Sequence, residues 1–348
     1  MKKVNQNKNN VFVSVIIPCY QEEKFIKKCL FSLVKNDYPK EYLEILVMDG
    51  RSTDKTRDIV REISNKYPFI RLIDNEKRYQ SFALNKGIKI SRGEIIIRCD
   101  AHATYSKNYI KKSVEWLLKD KKIGNVGGIW INKPANKSLT AKAIVYTLSH
   151  PFCVGPNKYR IGAKESKEVD TVPFGAWRKE IFDKVGNFRE DFIRAQDLEF
   201  NIRLKKAGYK IILDPSIKIF YYPRDSFKKL FKMMVQYGYW KVIVNKETKT
   251  LSSLRQLVPP LFLLYLFFAI FFSFLKWWIL LIPLFLYILI VLFFSLLISF
   301  KTRDKRIVPF CALVFLVTHF GYGFGYLQAL FDIFLKKNAK IKYIEINR

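Results

Sequence analysis

The sequence predicts an α/β fold, a doubly wound sheet, followed by a helical region that enters a membrane. Two observations carry this. Over the first hundred residues, short β-branched runs alternate with segments of helical periodicity, the pattern of a wound sheet rather than of separate sheet and helix blocks. After residue 250 come three long apolar stretches, Leu257–Leu275, Trp277–Phe300 and Ile307–Leu335, and about 20 apolar residues suffice to span a bilayer.

The elements follow in order. Val13 to Pro18 is β-branched and ends in proline, as suits a buried parallel strand. Because this run is short and β-branched, it reads as a strand and not as the core of a signal peptide, despite the basic start MKKVNQNKNN. Glu22 to Lys35 places Phe25, Ile26, Cys29, Leu30 and Leu33 on one helical face. Ile45 to Met48 is a second strand, ending at Asp49-Gly50. Ser52-Thr53-Asp54 is expected to start the helix that continues from Thr56 to Ile63. Ile70 to Ile73 is a third strand, Ser81 to Ile90 a helix, and Ile95 to Cys99 a fourth strand that delivers Asp100. In wound sheets ligands bind beyond the carboxyl ends of the strands. Pro18-Cys19-Tyr20, Asp49 and Asp100 all fall there.

Of 61 Lys+Arg and 30 Asp+Glu, 50 and 27 precede residue 251, so the amino-terminal part is basic and soluble in character. A basic surface attracts polyanions, nucleic acid or anionic lipid; compositional drift toward lysine gives the same excess. The apolar stretches favour lipid, and no nucleic-acid partner is expected. Five cysteines, Cys19, Cys29, Cys99, Cys153 and Cys311, are odd in number and lack paired spacing, which fits a reducing compartment and neither a disulfide framework nor a zinc site.

The membrane signals conflict. Lys276 with Trp277 and Trp278 makes a tight interfacial turn between the first two stretches. The basic loop 301–306 and the basic tail from Lys336 both belong on the cytoplasmic side under the positive-inside rule, yet three full spans would separate them. The third stretch carries His319, Gln328 and Gly321, Gly323 and Gly325, so both a spanning and a re-entrant or interfacial course stay open.

Four places carry candidate chemistry. Asp100 and His102, two residues apart at a strand end, could face one way and hold Mg²⁺ or Mn²⁺ against a diphosphate, the imidazole suiting Mn²⁺ better; a turn acid beside a surface histidine is the plain alternative. Asp197 in Arg194-Ala195-Gln196-Asp197 could act as general base, or simply favour a helix N-terminus. Gln236 to Trp240, after a basic helix Asp225–Met234, is either functional or an aromatic interfacial belt. Gly127-Gly128 and Phe174-Gly175-Ala176-Trp177 would let a sugar or a backbone come close.

Together these motifs resemble the family-2 glycosyltransferases of GT-A fold. Val13 to Glu23 resembles their opening strand and loop. Asp49-Gly50-Arg51-Ser52-Thr53-Asp54 resembles their second-strand motif, with one residue more than the commonest form. Asp100-Ala101-His102 stands where the family usually has Asp-X-Asp, Gln196-Asp197 where it has its base motif, and Gln236 to Trp240 is similar to the Gln-X-X-Arg-Trp box, with Tyr239 for Arg. The Asp-Ala-His variant and the apolar tail look like the succinoglycan-type glucosyltransferase branch. The resemblance covers about residues 11–240.

The resemblance implies a GT-A catalytic domain over 1–240, a doubly wound mixed sheet, and a membrane-associated region of two or three transmembrane helices over 241–348. It implies an inverting transfer from a nucleotide-sugar, a UDP-sugar by preference, to a lipid-linked saccharide acceptor, at the cytoplasmic face of the membrane. Pro18, Tyr20, Glu22, Asp49, Arg78, Asn85 and Asp100 would bind the donor. Asp100 and His102 would hold the divalent cation, Asp197 would be the base, and Gln196, Gln236 and Trp240 would meet the acceptor. A polyprenyl-phosphate sugar synthase, whose acceptor phosphate needs no base, is the enzymatic rival. A non-enzymatic basic membrane adaptor is the other, and it leaves the acids at the strand ends unexplained.

Overall fold

The computed structural model describes residues 11–251 and 253–335. The chain divides into two compact units. One comprises residues 1–131 and 162–221, the other 132–161 and 222–348.

The first unit opens with β1 (Val13–Cys19), α1 (Ile26–Val34), β2 (Leu43–Asp49), α2 (Thr56–Lys66), β3 (Ile70–Asp74), α3 (Gln80–Ile90) and β4 (Ile95–Arg98). These are the strands and helices expected from the sequence, and they form a parallel layer β3-β2-β1-β4. Right-handed crossovers through helices bury both faces of such strands, so every residue of β2 is buried. Ser52-Thr53-Asp54 lead into α2 as expected, which begins at Thr56: Asp54 Oδ1 accepts from Thr56 N at 3.0 Å, while Ser52, Thr53 and the other Asp54 oxygen bond to the loop after β1.

The rest of the sheet is antiparallel, making it mixed. β5 (Ala103–Tyr105), α4 (Tyr109–Lys119) and β6 (Ile123–Asn132) follow. After the residues of the second unit come β7 (Lys167–Glu168), β8 (Ala176–Arg178), α8 (Glu180–Val185), α9 (Gln196–Lys206) and β9 (Lys210–Tyr221). The order continues β4-β8-β6-β9-β5, with β7 on β9. Gly128 is needed here for the sheet, not for a ligand: a Cβ there would collide with the carbonyl of Ile217 on β9.

The second unit holds α5 (Leu139–Thr147), α6 (Pro151–Val154), α7 (Lys158–Ile161), α10 (Phe227–Thr248), α11 (Val258–Ser273), α12 (Ile282–Thr302) and α13 (Val308–Leu335). Residue 240 lies inside α10, which runs unbroken through the aromatic box and on to Thr248. With their short 3-10 turns, Leu254–Ser273, Trp278–Thr302 and Lys305–Leu335 are each long and apolar enough to cross a membrane. The third stretch is a single continuous helix. Its glycines serve close packing, because a Cβ on Gly325 would collide with the Val235 carbonyl and one on Gly323 would lie 2.8 Å from that of Pro259.

Candidate active site

The site of the first unit is built on three strand ends. β1 and β2 pair in register, with Cys19 opposite Asp49, so the loops that follow them emerge side by side. Gln21 turns with φ 55° and its amide accepts from Asp54 N (3.1 Å) and donates to Thr53 Oγ1 (2.8 Å). Glu22 N donates to Thr56 Oγ1 at 2.7 Å. The extra residue of the second-strand motif, Arg51, takes φ 61°, which lets Ser52 fold back onto Asp49.

Asp49 is fully buried. Its carboxylate accepts from Ser52 Oγ (2.6 Å), Ser52 N (3.0 Å) and Arg57 Nη1 (2.7 Å), and Arg57 reaches on to Asp74 at 2.7 Å. The hydrogen bonds Arg57 donates to Asp74 and then to Asp49 raise its pKa, and its guanidinium in turn lowers that of Asp74. Tyr20 lies beside Gly50, where a Cβ would meet its ring at 3.3 Å, and the Arg78 guanidinium stands 5.8 Å from the same ring. Pro18 sits in the β1 register opposite Met48. Asn85 is drawn elsewhere: its amide clamps the loop after α8, donating to Phe188 O (2.8 Å) and accepting from Phe188 N (3.1 Å).

The third strand end places Asp100 in a polar ring. Arg98 Nε and Nη2 each donate to Asp100 Oδ1 at 3.2 Å, and Gln80 Nε2 donates to the same oxygen at 3.3 Å. Gln196 Nε2 donates to Gln80 Oε1. Arg98 Nη1 points to Asp197 Oδ2 at 3.9 Å, closing the ring at the start of α9, where Ala195 in the left-handed region (φ 58°) turns the chain into the helix. Burial opposes the charge on Arg98, yet Asp100 and Asp197 together hold its pKa above the ordinary value. Asp197 is the open member: its side chain is 38 % exposed against 12 % for Asp100. Its Oδ1 accepts from Leu198 N at 2.9 Å.

His102, two residues on from Asp100, has partners of its own. Its Nδ1 lies 3.0 Å from Glu22 Oε1 and its Nε2 3.3 Å from the Tyr221 hydroxyl. An ionised carboxylate can only accept, so against an ionised Glu22 the ring proton of this contact sits on Nδ1. The aromatic wall around it was not foreseen from the sequence: Tyr221 stacks on Trp130 at 4.3 Å and 10°, and Phe174 packs beside both. Gln80 and Arg98 were also missed as members. Arg98 had a signal, a charge inside an apolar strand run; Gln80 had none.

Residues 14–186 match the profile described as glycosyl transferase family 2. Over 338 residues the chain is 35 % identical to the dolichyl N-acetyl-alpha-D-glucosaminyl phosphate 3-beta-D-2,3-diacetamido-2,3-dideoxy-beta-D-glucuronosyltransferase of Methanococcus voltae, covering 95 % of this chain and 99 % of that one. The chain belongs to glycosyltransferase family 2. It is 30 % identical over 247 residues to the succinoglycan biosynthesis protein ExoA of Rhizobium meliloti, covering 70 % of this chain and 73 % of that protein. The fold is shared with a mannosyltransferase of Pyrobaculum calidifontis solved in complex with GDP-Man and Mn²⁺: TM-score 0.52, 23 % identity, 67 % of this chain and 64 % of that one. The fold is therefore GT-A and the protein is a glycosyltransferase.

Of the family's expected positions, Gln196, Asp197, Asp100, Tyr20, Glu22, Asp49, Arg78 and His102 all lie on the strand-end rim or its loops. Gln236 and Trp240 lie in the second unit, buried along α10.

Proposed function

We propose that this glycosyltransferase moves a sugar from a nucleoside-diphosphate sugar, by preference a UDP-sugar, to a membrane-embedded lipid-linked saccharide, with inversion, at the cytoplasmic face. The observation that carries the reading is Asp197: a carboxylate a third exposed, seated at a helix start with a buried guanidinium behind it. The near full-length likeness to a transferase that acts on a dolichyl-linked sugar supports the choice of acceptor.

The donor's nucleoside is assigned to the loops after β1 and β2. Pro18, Tyr20, Glu22 and Arg78 would border it, and Asp49 would act by holding the 50–54 turn. Asn85 would contribute through the loop it clamps. Asp100 and His102 fit a divalent cation shared with a diphosphate, an ion that needs only one or two protein ligands in such sites. The donor set is suitable: Asp100 Oδ2 has only a 3.5 Å contact to Arg98, and a metal-binding imidazole commonly donates its other N–H to a carboxylate, as His102 does to Glu22. Mn²⁺ suits the imidazole better than Mg²⁺. Such an ion would supply Lewis-acid stabilisation to the departing diphosphate.

The chain's own steps concern the acceptor. Asp197 Oδ2, the oxygen not engaged by Leu198 N, takes the proton of the attacking hydroxyl. The hydroxyl oxygen bonds to the anomeric carbon as the bond to the diphosphate oxygen breaks, which inverts the centre. Gln196 orients the acceptor beside Asp197, while Gln236 and Trp240 shape α10 for its lipid-linked part. The test is transfer from radiolabelled UDP- and GDP-sugars by the full chain in detergent, with a polyprenyl-linked saccharide as acceptor. Label entering the organic phase is expected. Donor consumed with label only on water-soluble products would overturn the lipid-linked acceptor.

A further inference from the structure

Residues 132–161 interrupt the first unit in sequence, yet they group with the apolar helices, and their charge is one-sided: five Lys+Arg and no Asp or Glu. α5, the longest helix among them, is held by one face. Ala143, Ile144 and Leu148 join Ile307, Cys311 and Phe315 in a buried cluster. Another face carries Lys142 and Tyr146, one turn apart, with Tyr146 40 % exposed. The place where α5 packs is one end of α12. Trp278–Thr302 is the most apolar of the three long stretches and has 25 residues. At 1.5 Å per residue it measures about 37 Å, against a hydrocarbon core of about 30 Å. A span of that length brings Trp278 to one headgroup layer and Lys301 to the other.

Three helices begin around that Lys301 end. Lys142 of α5 is within electrostatic reach of Asp304. Phe227, the first residue of α10, stacks on Phe310 near the start of α13 at 6.4 Å, and Asn136, before α5, donates to Asp225, before α10, at 3.2 Å. Positive charge gathers with them. Lys301, Arg303, Lys305 and Arg306 of the loop stand with Lys142, Lys228 and Lys229 of the two helices. The nearby acids are already engaged, Asp304 on Arg306 at 2.9 Å and Asp225 on Lys229 at 3.5 Å, and among the described residues Lys228, Lys301, Arg303 and Lys305 form no ion pair. Exposed apolar side chains are interleaved with these cations. Tyr146 follows Lys142 by four residues, Phe231 follows Lys228 by three, and Leu297 precedes Lys301 by four, so each pair shares a helical face. A soluble anion gains nothing from such neighbours. A bilayer does, because interfacial helices offer cations to headgroups and apolar groups to the acyl boundary.

We propose that this end of the helical unit is a docking collar for the headgroups of anionic phospholipids, with α5 and the first turn of α10 lying in the headgroup layer beside the end of α12. The inference rests on α12 crossing a bilayer and not on the donor or acceptor proposed above. Lipid phosphates accept from the loop cations and from Lys142 and Lys228, while Tyr146, Phe231 and Leu297 reach the acyl boundary. The collar thereby ties residues 132–161, which lie within the catalytic part of the sequence, to the membrane surface.

The test measures lipid binding to the full chain, delipidated in a non-ionic detergent, by native mass spectrometry with phosphatidylglycerol or phosphatidylcholine added. Phosphatidylglycerol is expected to bind at least about tenfold more tightly, since each cation near an anionic headgroup contributes, and the preference should shrink as salt rises. Lys142→Gln/Lys228→Gln and Lys301→Gln/Arg303→Gln/Lys305→Gln should each lose most of the preference. Lys246→Gln/Lys249→Gln, at the far end of α10, should keep it. Equal binding of the two lipids by the wild type, or an intact preference in both collar variants, would overturn the inference. Displacement of phosphatidylglycerol by equimolar inorganic pyrophosphate would assign the cations to a soluble diphosphate and overturn it as well. Tyr146→Trp supplies a second readout that stands even where the multiple variants fail to accumulate. In nanodiscs of mixed phosphatidylglycerol and phosphatidylcholine, the emission it adds to the wild type should be quenched by lipids brominated near the headgroup end of the acyl chain. Added emission that those lipids leave unquenched would take α5 out of the bilayer surface.

Discussion

Replacing Arg98 with Met tests the polar ring most sharply, because it removes the charge while keeping a long apolar side chain. The Arg98 side chain is 6 % exposed, and its guanidinium makes two 3.2 Å bonds to Asp100 Oδ1. Without it the Asp100 side chain, itself 12 % exposed, keeps only Gln80 as a side-chain donor among the described residues. Breaking a buried pair by removing one partner costs about 3–5 kcal/mol, since the other charge is stranded. The 3.9 Å contact to Asp197 adds little, because that carboxylate is 38 % exposed and solvent screens it. For a unit of this size the loss corresponds to roughly 6–20 °C in melting temperature. The assay is thermal unfolding of the detergent-solubilised full chain. Arg98→Met should melt far below the wild type, and Arg98→Met/Asp100→Asn should recover much of the loss, because no unpaired charge remains. Arg98→Lys, which keeps the charge without the fork, should fall between. If Arg98→Met costs no more than a surface substitution, or the double variant is worse than the single one, the ring is not the buried ion-pair network argued here.

Three further outcomes follow from the same contacts. Glu22→Gln removes the carboxylate that fixes the His102 ring, and should weaken Mn²⁺-dependent binding of a nucleoside diphosphate about 10–100-fold, read by titration calorimetry; unchanged affinity would remove Glu22 and His102 from the cation site. Gly325→Val places a branched side chain against the Val235 backbone. It should prevent α10 and α13 from packing, seen as loss of folded protein on size-exclusion in detergent, whereas a Val tolerated without change would contradict the described contact. Trp130→Ala deletes the stack on Tyr221, worth about 0.5–1.5 kcal/mol beyond buried area. It should lower the melting temperature, with Trp130→Phe retaining most of it.

The sequence made the parallel layer legible because β1, β2 and β4 are buried on both faces, so their residues read as continuous β-branched runs. Asp100, His102 and Asp197 were legible because they end strands or start a helix. What was hidden depends on contacts between distant positions. Arg98 and Asp197 are brought together by the antiparallel half of the sheet and the left-handed turn at Ala195, and no local pattern reports that. Gln80 is an ordinary helix-start residue until Gln196 folds over it. Ser52, Thr53 and Asp54 have the composition of a helix cap, and Asp54 does accept from Thr56 N, but that the same residues also bond the loop after β1 is not written in their local pattern. Residues 132–161 group with the membrane helices because α5 and α6 supply Ala143, Ile144, Leu148 and Phe152 to their core, a partnership that 9-residue and 4-residue helices do not announce. The glycines at 321, 323 and 325 left a re-entrant or interfacial course open beside a spanning one; in place they let backbones approach.

The central claim is that Asp197 is the base of a donor-dependent sugar transfer. Transfer by wild type, Asp197→Asn and Asp100→Ala, each with Mn²⁺, Mg²⁺ or chelator, tests it most directly when paired with donor binding on the same samples. The account expects Asp197→Asn to bind the donor as the wild type does while losing transfer by about 10²–10⁴-fold, and Asp100→Ala and the chelated wild type to lose donor binding as well. Asp197→Asn transferring sugar at the wild-type rate, with acceptor present, would contradict it.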